Sequence, residues 1–181
     1  MLEYSPEFWY NPSGGMSMQF EIRCATEADR ARIIEIYARA RSFMREHGNP
    51  DQWKDSHPAD SLVDEDIALG RSLVCTADGI VQGVFVYLQG TDAEPDYRVI
   101  DGSWICGGEY GVVHRIASSG EVRGIGSFIL EWAFSQCGHL RIDTHADNYV
   151  MQALLNKLGF SRRGVITLRE NNETRIAFER V

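Results

Sequence analysis

A glycine-rich turn in the second half of the sequence has the residue types and spacing of an anion-binding site. Ser118-Ser119-Gly120 interrupts an apolar run, and Gly124-Ile125-Gly126 leads into an apolar segment that predicts a helix over residues 124–137. Backbone N–H groups at such a helix start point outward at the positive end of the helix dipole, and glycine lets an anion approach closely. The turn is therefore predicted to hold a phosphate group.

Two other glycine-rich phosphate motifs agree less well with this turn. A dinucleotide-binding G-x-G-x-x-G sequence would need glycine at Ile129. Asp143 lies about 20 residues further on, where such proteins carry a ribose-binding acid, and this keeps a Rossmann-like nucleotide site as a distant alternative. The P-loop motif is excluded because no Gly-Lys-Ser/Thr follows the turn.

The composition is that of a globular domain. The chain has 181 residues, 44% of them hydrophobic and 24% charged, which is enough for one domain with a hydrophobic core. A net charge of −8 argues against a nucleic-acid surface and mildly favours a cationic substrate, although solubility alone also explains it. The four cysteines are widely spaced, and we expect reduced, buried thiols in a cytoplasmic protein. No apolar run has the length of a membrane span, so no membrane association is expected.

The N-terminal segment differs from the rest of the chain. Residues 1–17 contain aromatic residues and proline without periodicity and are expected to be a leader or vector-derived segment outside the fold. The alternative is a natural arm that packs Phe8, Trp9 and Tyr10 onto a partner chain. Residues 18–181 are expected to form a single domain.

Hydrophobic periodicity and turn residues predict seven strands and four helices in the order β-α-α-β-β-β-α-β-α-β-β. The residues before the glycine-rich turn, 110–117, are β-branched and apolar and predict an interior strand. The other predicted strands cover residues 19–24, 72–77, 80–88, 140–145, 160–168 and 174–180, and the other helices begin after Thr26 and cover residues 59–70 and 148–158.

Two segments resemble motifs of the GNAT-type N-acetyltransferases. Glu121-Val122-Arg123-Gly124-Ile125-Gly126 is similar to the family's acyl-CoA cradle, Q/R-x-x-G-x-G/A, with glutamate where arginine or glutamine is usual. Asn148 to Phe160 is similar to the segment N-x-x-A-x-x-L-Y-x-K-x-G-F. The resemblance covers residues 18 to 180 and implies an α/β (α+β mixed) fold with a central, mostly antiparallel sheet and helices on both faces. It also implies transfer of an acetyl group from acetyl-CoA to a primary amine of a small molecule or protein.

The resemblance further implies where acetyl-CoA binds. The strand before the turn splays from the next strand in this family, and the acyl-CoA lies in the gap. The backbone of Ile116 and Ala117 would then bind the pantetheine and the thioester carbonyl, and Asn148 matches an asparagine that contacts the cofactor. The pyrophosphate would be held by the turn residues Glu121, Val122, Arg123, Gly124, Ile125, Gly126 and Ser127.

An amine arrives protonated near neutral pH and must lose a proton before it attacks. Glu109, His114 and His145 lie near the predicted gap and are candidates for the base. His114 could instead be packed in the sheet and bonded to a carbonyl, and His145 could cap the helix that begins near Asp147. A chain of water molecules could also carry the proton, and no single residue would then be essential.

The family's usual general acid is a tyrosine, and Leu155 occupies its position here. Either the CoA thiolate leaves with little help, since its pKa should be near that of cysteine, or Tyr149 supplies the proton. The missing tyrosine motivates a second hypothesis, a non-catalytic acyl-CoA-binding sensor domain with the same fold.

The acceptor is less well defined by the sequence. In this family the region between the first two helices walls the acceptor pocket, so Gln52 and Trp53 are candidate contacts, although Trp53 could simply cover the edge of the core. Acidic loop residues could attract a cationic amine, although a solvated loop explains them as well: Asp51, Asp92, Glu94 and Asp96. No metal site is predicted, and homodimerisation through the C-terminal strands is implied by resemblance only.

Overall fold

One eight-stranded sheet carries the structure. The computed structural model describes residues 18–181, and the predicted leader, residues 1–17, lies outside the described residues. The strands are β1 (Phe20–Cys24), β2 (Ser72–Ala77), β3 (Ile80–Gly90), β4 (Ile100–Gly102), β5 (Tyr110–Ser118), β6 (Leu140–Thr144), β7 (Ser161–Thr167) and β8 (Thr174–Arg180). The helices are α1 (Arg30–Glu46), α2 (Asp60–Ala68), α3 (Ile125–Cys137) and α4 (Tyr149–Lys157).

The sheet has the strand order β1-β2-β3-β5-β6-β8-β7-β4, and every neighbouring pair except β5–β6 is antiparallel. Alternate residues of a strand face opposite sides of a sheet. Accordingly Phe85 packs into the cluster that contains α3 and α4 residues, whereas Val84 packs into the cluster with α1 residues. The helices therefore cover both faces, and the predicted mixed, mostly antiparallel fold is confirmed.

The parallel pair at the centre of the sheet separates after two residues. Only Gly111–Leu140 and Val112–Arg141 are paired between β5 and β6, although β5 continues to Ser118. On its other side β5 stays paired with β3 as far as Ser118, across a bulge that lies between the His114 and Ala117 pairs. Arg115, within the bulge, has a φ of 50°. The end of β5 is thus held by β3 alone, which leaves a gap towards β6.

Two sequence expectations differ from the structure. Residues 100–102 form β4, an unpredicted edge strand on β7. Three residues are too few for a periodicity signal, and the pairing depends on Gly102 and Gly164, where a Cβ would lie within 2.2 Å of a backbone oxygen. The four cysteines are free thiols, but only Cys75 is fully buried, because Cys24 and Cys106 lie where the chain leaves the sheet. Within residues 18–181, no helix combines the length and the apolar character that crossing a membrane requires.

Gly83 of β3 lets α3 press closely on the sheet. A Cβ at this position would lie 2.5 Å from Cγ2 of Ile125, the first residue of α3. Gly83→Ala is expected to lower the free energy of unfolding by about 1–3 kcal/mol, the typical cost of overpacking a core. Gly107→Ala is the control, because nothing lies within 4 Å of the added methyl group, and it should change stability by less than about 0.5 kcal/mol. Urea unfolding curves measure both, and equal stabilities would contradict the close contact.

Candidate functional site

Two cavities meet at the gap between β5 and β6. One, here called the polar cavity, has a volume of about 270 Å³ and lies between the α1–α2 loop, the ends of β5 and β6, and the β7–β8 turn. The other, here called the glycine-turn cavity, has a volume of about 280 Å³ and lies between the ends of α1 and β5 and the start of α4. Four residues line both cavities: Met44, Ile116, Asn148 and Met151.

The glycine-turn cavity runs along the end of β5 to the start of α3. Ile116, Ala117 and Gly120 line it, and so does Gly126, where a Cβ would lie 3.1 Å from Leu154. Gly124, the residue before α3, has a φ of 92° and cannot cap the helix with a side chain. The first backbone N–H groups of a helix have no partner within it, so this end of α3 keeps donors for an anion.

Most of the other residues predicted to hold the pyrophosphate do not line the glycine-turn cavity. Val122 and Ile125 turn their side chains into the core, so they offer only backbone groups. Arg123 is exposed and Ser127 is half-buried. Gly126 is the one residue of the predicted pyrophosphate turn, 121–127, that lines the cavity.

Glu121 points back towards α1. Its Oε2 accepts a hydrogen bond from Arg32 Nη2 at 2.8 Å, and its Oε1 accepts one from Arg39 Nη1 at 2.5 Å. These two arginines hold the pKa of Glu121 below its usual value. Arg39 also donates to the Ser119 carbonyl oxygen and lines the glycine-turn cavity. Arg39 of α1 therefore places a positive charge beside the turn, next to the acidic residue Glu121.

His114 and Glu94 form a pair in the polar cavity. Nε2 of His114 lies 2.9 Å from Oε2 of Glu94, and both side chains are largely buried. Burial acts to raise the pKa of Glu94, but His114 and the Asp96 backbone N–H outweigh it, so the pKa lies below its usual value. Glu94 is thus an anion at neutral pH. The sequence showed Glu94 only as one of several acidic loop residues, because its partner is 20 positions away.

Asp143 and Thr144 bring further polar atoms to the same cavity. Tyr97, fully buried, donates its hydroxyl hydrogen to Asp143 Oδ1 at 2.7 Å. Burial, with Asp143 beside it, raises the pKa of Tyr97 well above its usual value, so this tyrosine remains a donor. Thr144 is 1% exposed, and its Oγ1 has no hydrogen-bond partner among the described residues.

The other three predicted catalytic residues, Glu109, His145 and Tyr149, lie apart from one another. Glu109 is exposed at the paired end of β5, about 23 Å along the strand from Ile116, and accepts a hydrogen bond from Gln89. His145 lies in the turn before α4, where its Nδ1 accepts from the Asp147 backbone N–H. Tyr149 lines the glycine-turn cavity and is 66% exposed. The structure therefore brings His114 and Tyr149 to the two cavities, but not Glu109.

Leu155, at the position of the family's tyrosine, is 0% exposed and belongs to the core cluster beneath α3 and α4.

Asn148 lies between the two cavities. Its Oδ1 accepts from the Met151 backbone N–H and caps α4, and its Nδ2 donates to Gln52 at 2.8 Å. Trp53 lines the polar cavity while packing edge-on against Tyr37, so it both covers the core and faces the cavity.

Among residues 18–181, one group of side chains brings metal-binding donor types together, namely Cys106, His139 and Glu179. Nδ1 of His139 lies 3.0 Å from the Glu109 carbonyl oxygen, and its Nε2 lies 2.8 Å from Glu179. Glu179 also accepts from Arg141 Nε at 3.1 Å. Both ring nitrogens of His139 lie against oxygen atoms of the protein, and Glu179 is also bound by Arg141, so we interpret the group as a buried ionic network.

Known structures with the same fold are GNAT acetyltransferases. A GNAT-family acetyltransferase from Streptococcus agalactiae superposes with a TM-score of 0.76 and 27% sequence identity, over 97% of this chain and 98% of that one. The chain has the GNAT fold. A GNAT-family acetyltransferase from Listeria monocytogenes (TM-score 0.64, 20% identity, 94% and 99% of the two chains) shares the fold. So does a phosphinothricin acetyltransferase from Sinorhizobium meliloti in complex with acetyl-CoA (0.58, 18%, 89% and 87%). No protein-family model and no curated protein matches the sequence.

The Tyr97–Asp143 hydrogen bond supports the wall of the polar cavity. Tyr97→Phe removes the donor and leaves Asp143 without it, so the free energy of unfolding should fall by about 1.5–3 kcal/mol, the usual contribution of a hydrogen bond to a charged group. Tyr149→Phe is the matched control, because Tyr149 is 66% exposed and should lose less than about 0.5 kcal/mol. Chemical denaturation measures both variants, and an undiminished stability of Tyr97→Phe would show that the bond contributes nothing.

Proposed function

We propose that this protein, which has the GNAT fold, is an N-acetyltransferase that transfers an acetyl group from acetyl-CoA to the primary amine of a small molecule, by direct attack with both substrates bound. The observation that supports this most is the meeting of the two cavities at Ile116, on the strand that splays from its neighbour. One cavity follows the glycine-rich turn, and the other contains the His114–Glu94 pair. Two substrates bound in these cavities would meet beside the end of β5.

The glycine-turn cavity has the features that acetyl-CoA requires. The start of α3 keeps backbone N–H donors for a diphosphate, and Arg39 adds a cation that lines the cavity. Beyond Val112, β5 has no strand partner on its β6 side within residues 18–181, so the backbone of Ile116 and Ala117 can bind an extended ligand. Acetyl-CoA supplies the acetyl group as a thioester.

The His114–Glu94 pair would prepare the amine. A neutral imidazole can accept a proton from the ammonium group, and the Glu94 carboxylate, 2.9 Å away, stabilises the imidazolium that forms. A backbone N–H of Ile116 or Ala117 would stabilise the negative charge that develops on the carbonyl oxygen. Leu155 cannot donate a proton, so Tyr149, at the rim of the glycine-turn cavity, is the candidate acid.

The test is release of free thiol from acetyl-CoA in the presence of a panel of primary amines. His114→Asn should lower kcat by roughly 10²- to 10⁴-fold, the usual contribution of a general base, with little change in acetyl-CoA affinity. Glu109→Gln is the control, because Glu109 lies at the paired end of β5, and its kcat should stay within about threefold of the wild type.

The results would also separate the enzyme from the alternative, a sensor domain. Tight CoA binding without thiol release from any amine would support the sensor and contradict the enzyme. If kcat of His114→Asn also stayed within about threefold of the wild type, His114 would not be the base.

Arg39 provides a second test, directed at the cofactor. Arg39→Gln removes the cation beside the turn and should weaken CoA binding by roughly 10- to 100-fold, as expected for a charge-assisted hydrogen bond. Arg32→Gln is the matched control, since Arg32 contacts the same carboxylate but lines neither cavity. Isothermal titration with CoA and with dephospho-CoA measures the effect. A loss seen only with CoA would place Arg39 at the 3′-phosphate, and no loss would remove it from the site.

A further inference from the structure

Two carboxylates in or beside the wall of the polar cavity are each shared by two cations. The first is Glu173, on the turn before β8. Its Oε1 lies 3.0 Å from Lys54 Nζ, and its Oε2 lies 2.8 Å from Arg175 Nη2. Arg175 and then Lys54 lower the pKa of Glu173 to about 2, so its single negative charge faces two positive ones. All three residues line the cavity.

The second shared carboxylate is Asp66 of α2. Arg115 Nη2 lies 2.6 Å from its Oδ2, and Arg71 Nη2 lies 3.1 Å from its Oδ1. Arg115 lines the polar cavity and extends from the β5 bulge. Its Nε is buried and has no hydrogen-bond partner among the described residues. Three cations, Lys54, Arg115 and Arg175, therefore line this cavity. Arg71 lies outside it and also pairs with Glu65. The Arg115 Nε remains a donor without a partner in the described part of the chain.

Two carboxylates that line the same cavity, those of Asp143 and Glu94, form no ion pair with a lysine or arginine of the described residues. Asp143 accepts a hydrogen bond from Tyr97, which is a neutral donor. Glu94 faces the His114 ring and accepts a hydrogen bond from the Asp96 backbone N–H. The cavity therefore offers sites for both signs of charge. The hydroxyl of Thr144, which is buried without a protein partner in the described part of the chain, adds a further donor or acceptor.

From these contacts we propose that the acceptor is a small zwitterion, an amine that also carries an anionic group such as the carboxylate of an amino acid. The anion would bind Arg115, Arg175 and Lys54, and the ammonium group would face Glu94, His114 and Asp143. A volume of about 270 Å³ suits a single small molecule. This inference rests on the proposed function, because it names the substrate class of that reaction.

The experiment compares amines that differ only in the anion. Each α-amino acid is assayed for thiol release against its carboxamide and its decarboxylated amine, with aminophosphonates as a separate arm that distinguishes a carboxylate from a phosphonate. We expect kcat/KM for at least one anionic amine to exceed that of its uncharged counterparts tenfold or more. Equal or faster transfer to the uncharged amines or to polyamines overturns the inference and leaves the proposed function standing.

A variant that keeps the fold provides the second readout. Lys54 is 65% exposed, so Lys54→Gln should fold normally. It should raise KM for the anionic acceptor about 5- to 10-fold, with kcat and KM for acetyl-CoA unchanged and no effect on the carboxamide. Lys157→Gln, the same substitution on exposed residue Lys157 of α4, is the control.

An equal KM in the two lysine variants would overturn the role of Lys54 as an anion contact. Absence of thiol release from every amine, with CoA bound, would overturn the proposed function and this inference with it. These outcomes differ from a mere lack of anion preference, so the two proposals can fail separately.

Discussion

The separation of β5 from β6 is the constraint on which the site depends. Two parallel strands paired along their whole length would satisfy each other's backbone groups and leave no room between them. Here the pairing stops after Val112, while β3 keeps β5 in the sheet as far as Ser118. The bulge at Arg115 inserts an additional residue on that side, which bends the strand and redirects its side chains. The same local geometry thus opens the gap and points Arg115 towards Asp66.

Charge placement divides the gap into two chemically different cavities. On the glycine-turn side, the acid at position 121 is neutralised by Arg32 and Arg39, so the surroundings of the turn stay suitable for an anion. On the polar side, carboxylates are shared between cations or face neutral donors. Buried charges without partners are costly, and a ligand that completes them gains the corresponding interaction. We therefore regard ligand charge as the main property that each cavity selects.

The order and approximate bounds of the elements followed from periodicity and turn residues. Strands of five or more residues were predicted to within about two residues, because alternation along a strand is a local signal. β4 was missed because three residues carry no such signal and its pairing with β7 depends on two glycines far apart in the chain. The prediction that all four cysteines are buried was wrong for Cys24, at the end of β1, and for Cys106, in the loop before β5, and Cys137 is only half-buried. Apolar neighbours in sequence do not ensure that a residue is covered in the fold.

The sequence by itself indicated the resemblance to GNAT proteins, the glycine turn at the start of α3 and the leucine at position 155 where that family usually has tyrosine. It also supplied His114 as a candidate base. Only the tertiary structure decided which groups meet: Glu94 with His114, Arg39 with Glu121, and Lys54 with Glu173. These pairs join residues 20, 82 and 119 positions apart. Local propensity and periodicity act within a few turns of the chain, so contacts at such separations are fixed only when the sheet and its loops are assembled.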